Sequence, residues 1–240
     1  MSETVLLPGG RDARGTLDVA VGCAGDRGGA GRDGSAAARC VVACPPHPQH
    51  GGTRSDQRLT AVSEELTERD VDCLRFDYGP WDGGRGERTD ATNAVAWARE
   101  RYDRVSLFGF SFGAGVALSA AARGADVDAV AALAPPARLG ARRDDVETDP
   151  GVGGVDVVAD LPDIPPAVRV GVFYGARDDV ADVEPVVEYA RERSFAVTEF
   201  AADHFFVGQE REVAAAVVEF LLGDSGDDEC PNRSPGGERT

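Results

Sequence analysis

The stretch VSLFGFSFGAGVALSAAA, Val105 to Ala122, constrains the fold of this chain more than any other. An apolar, strand-type run meets Ser111 between Gly109 and Gly113 and passes into an alanine-rich, helix-forming stretch, so the segment reads as a strand, a sharp turn and a helix beginning near Gly113. A serine on such a turn takes a strained backbone conformation that only small neighbours permit. Glycine two residues to either side therefore has a steric reason. The turn lifts the hydroxyl above the sheet. The helix beyond aims free backbone N–H groups and the positive end of its dipole at the same spot, which suits developing negative charge. G-x-S-x-G also arises by chance in a chain with 30 glycines, as a tight turn that happens to hold a serine. The strand before it and the small-residue helix after it single this match out.

Length and charge narrow the class. At 240 residues the chain suits one α/β domain, expected over residues 1–222, followed by a charged, turn-rich and disordered tail over 223–240. No apolar stretch reaches about 18 residues, and Met1-Ser2-Glu3 lacks the basic start of a signal peptide. The expectation is a soluble, cytoplasmic protein without a membrane partner. The 42 acidic residues outnumber the 25 basic ones for a formal charge of −17, and every basic side chain is arginine. That balance speaks against nucleic acid and anionic membranes as partners. An acidic, lysine-free surface resembles that of proteins from salt-loving microbes, where screening removes the self-repulsion; an acidic protein from a GC-rich genome is the other reading. Cys23, Cys40, Cys44, Cys73 and Cys230 are odd in number and scattered, and read as reduced, buried thiols rather than a disulfide frame or zinc site.

Taken in order, Thr4 to Leu7 and Thr16 to Val21 are expected as two antiparallel strands joined at Pro8-Gly9-Gly10. Gly29, Gly31 and Gly34 match G-x-G-x-x-G, but no crossover helix fits before the next strand, and a phosphate-binding P-loop fails for want of lysine. Arg39 to Cys44 is a buried-type strand running into PPHPQHGG, with a helix over Gln57 to Arg69. Val71 to Phe76 is the next strand, followed by a glycine-rich loop over Gly79 to Glu87 and a helix Ala91 to Arg101 capped by Thr89 or Asp90. After the Ser111 turn come strands at Val127 to Leu133, Val168 to Tyr174 and Phe195 to Phe200, and helices at Val183 to Arg193 and Glu210 to Leu222. Pro135 to Pro166 is polar and lacks a long helix, too short for a large lid, and is expected to line the pocket. Alternating strands and helices imply a mostly parallel sheet with an antiparallel start, helices on both faces, and ligands above the carboxyl ends of the strands.

A serine hydroxyl is a weak nucleophile at neutral pH and needs a base, held in turn by an acid. Of three histidines, His47 and His50 lie in the loop after an early strand, whereas His204 follows the last predicted strand in FAADHFFVG and is the candidate base. The acid is expected after a strand between Ser111 and that histidine. Asp178 in VGVFYGARDD fits, with Asp179 as the nearest competitor and Asp203, adjacent to His204, third; either of the first two also suits a turn aspartate bonding its own backbone. His47 and His50 have no third ligand nearby and are not read as a metal site.

The order Ser111, Asp178, His204, each after a strand, resembles the α/β-hydrolase superfamily over roughly Cys40 to Leu222. HPQHGG, LRFDYGP, GFSFGAG and DHFF together resemble the small, lidless dienelactone-hydrolase-like or prolyl-peptidase-like hydrolases. Dienelactone hydrolases proper carry cysteine as nucleophile where serine stands here, which puts a lactone substrate in doubt. The resemblance implies an oxyanion hole with one N–H from the residue after the nucleophile, here Phe112, and one from the loop after the third strand. Pro48 has no N–H, which leaves Gln49 as the expected second donor and His50 as runner-up. It implies acyl transfer to water with a small-molecule acyl substrate and neither metal nor organic cofactor. An acyltransferase or peptidase would use the same residues, and a non-catalytic binding protein would retain the fold without them.

Overall fold

The structure, a computed structural model, describes residues 2–20, 38–140 and 154–223. The glycine pattern at Gly29, Gly31 and Gly34, Cys23, Cys230 and the expected tail after Gly223 lie outside these residues. Eight strands form one sheet in the order β1-β2-β4-β3-β5-β6-β9-β10. β1 (Ser2–Leu6) pairs antiparallel with β2 (Arg14–Asp18), and β2 antiparallel with β4 (Asp72–Asp77). From β4 onward, through β3 (Arg39–Cys44), β5 (Arg104–Phe110), β6 (Ala129–Leu133), β9 (Arg169–Gly175) and β10 (Ala196–Phe200), all pairings are parallel. The sequence cause is visible in β5 and β6: VSLFGF and AVAAL are buried at every position, as strands covered on both faces must be.

Chain direction decides which helix covers which face. The connection from β3 to β4 through α1 (Gln57–Thr67) runs one way along the sheet. Those through α2 (Arg85–Arg99), α3 (Phe112–Ala122) and α5 (Glu184–Glu192) run the other way. Right-handed crossovers in opposite directions put their helices on opposite faces. So α1 covers one face, joined by the closing helix α6 (Glu210–Leu222), which packs against it. On the other face α3 packs against α2 and the short α4 (Val157–Asp160). α3 has no polar side: Phe112 through Ala121 are all buried, because sheet, α2 and α4 enclose it. A two-stranded ribbon, β7 (Arg138–Leu139) with β8 (Val155–Asp156), precedes α4.

Two boundaries differ from expectation by three residues or more. α2 begins at Arg85, not Ala91, and its cap is Gly84 rather than Thr89 or Asp90. The reason is Glu87, fully buried, whose carboxylate accepts the N–H groups of Gly84 at 2.8 Å and Asp82 at 2.9 Å and starts the helix within the expected loop. Asp90 lies inside the helix and turns its carboxylate to Arg11 and the Gly79 N–H. The second strand ends at Asp18 rather than Val21, since the Ala20 N–H leaves the ladder for the Asp72 carboxylate. Cys40, Cys44 and Cys73 are buried free thiols. Among the described residues, no helix is long and apolar enough to cross a membrane.

At the β5–α3 turn the backbones meet without room for a side chain. A Cβ on Gly109 would lie 2.2 Å from the Gly113 carbonyl oxygen, and one on Gly113 would lie 2.2 Å from the Cys44 oxygen and 2.5 Å from that of Pro45. Gly113→Ala is therefore expected to lower the unfolding free energy by about 1–3 kcal/mol, read by urea denaturation; stability equal to wild type would contradict this packing.

Candidate active site

Ser111 sits at φ 55° and ψ −122°, a conformation that L side chains rarely adopt and that costs about 1–3 kcal/mol. Its N–H donates to Leu133 O at 2.8 Å, and its carbonyl accepts from Ala114 at 2.9 Å and Gly115 at 3.3 Å, so β6 and the first turn of α3 hold the strain. Sequence order and sheet order then combine. β5 is central, so the loops after β3 and β4 stand on one side of Ser111, and those after β9 and β10 on the other.

The far side brings Asp178 and His204 to the hydroxyl. His204 Nε2 lies 3.0 Å from Ser111 Oγ, and His204 Nδ1 lies 2.7 Å from Asp178 Oδ2. A carboxylate only accepts, so Nδ1 carries the proton and donates it to Asp178, which leaves Nε2 as acceptor for the serine O–H. Asp178 Oδ1 is occupied separately by the N–H groups of Val180 and Ala181, each at 3.0 Å. It is a turn aspartate and the partner of the imidazole at once, one oxygen for each. Burial pushes its pKa up, but the bond from His204 and the two backbone N–H groups outweigh this and hold it below the ordinary 3.8. Asp179 is exposed, and Asp203 turns from the ring to accept the N–H groups of Phe205 and Phe206, fixing the loop that carries His204. The imidazole is buried, backed by the Phe110 ring at 5.3 Å, over which the Arg58 guanidinium lies at 4.4 Å.

The near side supplies N–H groups. Phe112 is the first residue of α3, so its N–H has no intrahelical acceptor. Gln49, the expected second donor, has its N–H engaged within the loop, directed to His47 Nδ1 of its own 3-10 turn at 3.3 Å, and the runner-up His50 donates to His47 O. Gly51 and Gly52 likewise donate within the loop, and Pro45, Pro46 and Pro48 have no N–H to give. The N–H left over between Cys44 and Gly52 is that of His47. The three prolines of PPHP carried this signal in the sequence, because they reduce the choice to very few groups.

Rings gather on the same side. His47 stacks on His50 at 4.3 Å and faces Phe112 at 4.9 Å and Trp81 at 4.7 Å. Burial, and secondarily the neighbouring His50, lower the His47 pKa, so this ring is neutral near pH 7. Among the described residues no group of three or more His, Cys, Asp or Glu side chains is arranged to hold a metal ion. The described parts of the expected pocket-lining segment pack beside α3: Leu139 lies against Gly84 and Gly115, and Gly140 against the Gly83 carbonyl.

No protein-family model matches the chain. An uncharacterized protein of Rickettsia prowazekii is 24% identical over 192 residues, covering 74% of this chain and 76% of that protein. Among solved structures, a lidless α/β serine hydrolase of Xanthomonas campestris superposes with a TM-score of 0.69 at 22% identity, over 92% of this chain and 94% of its own. An esterase of Pyrococcus furiosus matches with a TM-score of 0.69 at 19% identity over 92% and 91% of the two chains. A dienelactone hydrolase of Anabaena variabilis matches with 0.67 at 19% over 92% and 97%. The chain thus has the α/β-hydrolase fold, and among the described residues there is no large lid.

The depressed pKa of Asp178 ties stability to pH. Its ionised form contributes fully above the ordinary 3.8, and that contribution is lost as pH falls through the lower folded value. The stability difference between wild type and Asp178→Asn, from chemical denaturation, is expected to shrink as pH falls from about 4 toward about 2. A difference that stays constant or widens over that range would contradict the assigned bonding.

Proposed function

We propose that the protein is a serine hydrolase that cleaves a small carboxylic ester, thioester or lactone through an acyl-enzyme. The observation that carries this is one imidazole spanning Ser111 Oγ at 3.0 Å and Asp178 Oδ2 at 2.7 Å, beneath a helix N-terminus. The fold shared with serine hydrolases and esterases supports it. In this reading Ser111 Oγ attacks the substrate carbonyl as its proton passes to His204 Nε2. The carbonyl oxygen becomes an oxyanion, held by the N–H groups of Phe112 and His47, each donor contributing about 3 kcal/mol to lowering the barrier. Collapse of the tetrahedral adduct expels the leaving group with the proton from Nε2 and leaves the acyl chain on Ser111. Water, deprotonated by the same nitrogen, then attacks the acyl carbonyl, and Ser111 regains its proton as the acid departs. Asp178 stays ionised throughout, keeps the proton on Nδ1 and stabilises the imidazolium that forms in each half-reaction. The excess of carboxylates and the absence of lysine support a salt-rich setting and disfavour an anionic substrate.

Ester hydrolysis across a p-nitrophenyl series tests the assignment. Ser111→Ala and His204→Ala are expected to lower kcat by about 10⁵–10⁶-fold and Asp178→Asn by about 10³–10⁴-fold. Asp179→Asn should stay within a few-fold of wild type. Activity that survives Ser111→Ala would remove serine chemistry from this site, and a large loss in Asp179→Asn would misplace the acid.

A further inference from the structure

The proposed reaction makes no use of Trp81, yet the fold spends two buried carboxylates and a guanidinium on holding its loop. After β4, Gly79 donates its N–H to Asp90 at 3.0 Å, and Arg11, paired with that carboxylate at 2.9 Å, donates to the Pro80 carbonyl. On the other side of Trp81, Glu87 takes the N–H groups of Asp82 and Gly84. Glu87 and Asp90 are 0% and 1% exposed, so both flanks of the tryptophan are pinned from the protein interior. A loop anchored so firmly presents the Trp81 side chain with little freedom.

That side chain faces the reaction centre. The Trp81 ring meets His47 at 4.7 Å with 32° between planes and Phe112 at 5.5 Å with 41°. Phe112 and His47 are the residues whose N–H groups flank the reacting carbonyl in the proposed mechanism. Phe112 is buried beneath, whereas Trp81 and His47 keep part of their rings exposed. Across Ser111, three of the large hydrophobic side chains most open to solvent lie on the Asp178 and His204 loops: Val180 at 58%, Phe205 at 49% and Val207 at 77% exposed. The Phe205 ring stands edge-on to His204 at 5.3 Å. The Ser111 site thus has the Trp81 ring on one side and exposed apolar side chains on the other.

We infer that Trp81, backed by His47 and Phe112, forms a stacking platform that selects esters carrying a flat aromatic or conjugated group next to the reacting carbonyl. Flat groups gain from ring faces both dispersion and quadrupole contact, which a flexible aliphatic chain matches only by losing rotamer freedom. Such positioning lowers KM and, where it aligns the carbonyl, raises kcat. The inference rests on the serine-hydrolase reading and specifies its substrate class.

The test compares kcat/KM for two pairs of similar intrinsic reactivity: 2-naphthylmethyl acetate against hexyl acetate, with the flat group on the leaving alcohol, and methyl 2-naphthylacetate against methyl octanoate, with it on the acyl side. Wild type is expected to prefer the flat member of at least one pair by about tenfold or more, and that pair identifies the side. Trp81→Ala should reduce the preference about tenfold, chiefly through KM, and Trp81→Phe should restore most of it. In parallel, a fluorophosphonate probe should still label Ser111 of Trp81→Ala, showing an intact nucleophile. A wild type that labels but prefers the flat member of neither pair overturns the platform alone, as does a preference that survives Trp81→Ala. Equal loss for flat and aliphatic esters in both Trp81 variants assigns the residue to loop structure and also overturns it. A wild type that does not label overturns the hydrolase reading and this inference with it.

Discussion

Three backbone segments converge at Ser111 so closely that two of the contact points admit no Cβ. Gly109 lies against the Gly113 carbonyl, and Gly113 against the carbonyls of Cys44 and Pro45. This contact seats the first turn of α3 directly on the ends of β5 and β3, which is why the serine is forced to a positive φ and why its neighbours are small. The strain, about 1–3 kcal/mol, is offset by burial along the whole of α3. The same seating fixes the Phe112 N–H beside the hydroxyl and brings the PPHP loop within reach of it. A wider approach would leave room for a side chain and lose the convergence of nucleophile and N–H groups.

Carboxylates do much of the remaining positioning, in a chain whose charge is −17. Of the buried ones, Asp90 pairs with Arg11 and Asp160 with Arg123 and Ser119, while Glu87 accepts backbone N–H groups; the half-buried Asp18 pairs with Arg75. A planar guanidinium suits these sites better than an ammonium would, consistent with arginine as the sole strongly basic side chain. Asp178 differs from them in its partner. Its first oxygen is bound by backbone, as in an ordinary turn, but its second faces an imidazole that both accepts and donates protons. The difference between a structural and a chemical carboxylate lies in that one bond.

Ser111, His204 and Asp178 were legible in the sequence because each follows a strand whose apolar run is unmistakable, and because histidine is scarce. The helical faces and the parallel sheet followed from the same periodicity. What escaped depends on contacts between distant segments. The start of α2 at Arg85 hangs on Glu87 reaching back to Gly84 and Asp82, in a stretch whose glycines read as loop. Gln49 was expected as donor on the strength of Pro48 alone, yet the 3-10 turn folds its N–H onto the His47 ring. Trp81 had no pattern of its own, and its place beside Phe112 arises from the adjacency of β4, β3 and β5.

In the proposed reaction Ser111, His204 and two backbone N–H groups act on one carbonyl. A crystal structure of the protein after reaction with a small alkyl phosphonate tests this, because the phosphoryl oxygen stands in for the oxyanion. The expected adduct is covalently bonded to Ser111 Oγ, with that oxygen about 2.7–3.1 Å from the N–H groups of both Phe112 and His47. An adduct whose oxygen points to solvent, or to Gln49, would contradict the assigned oxyanion site. Absence of any adduct on a folded protein would contradict the activated serine itself.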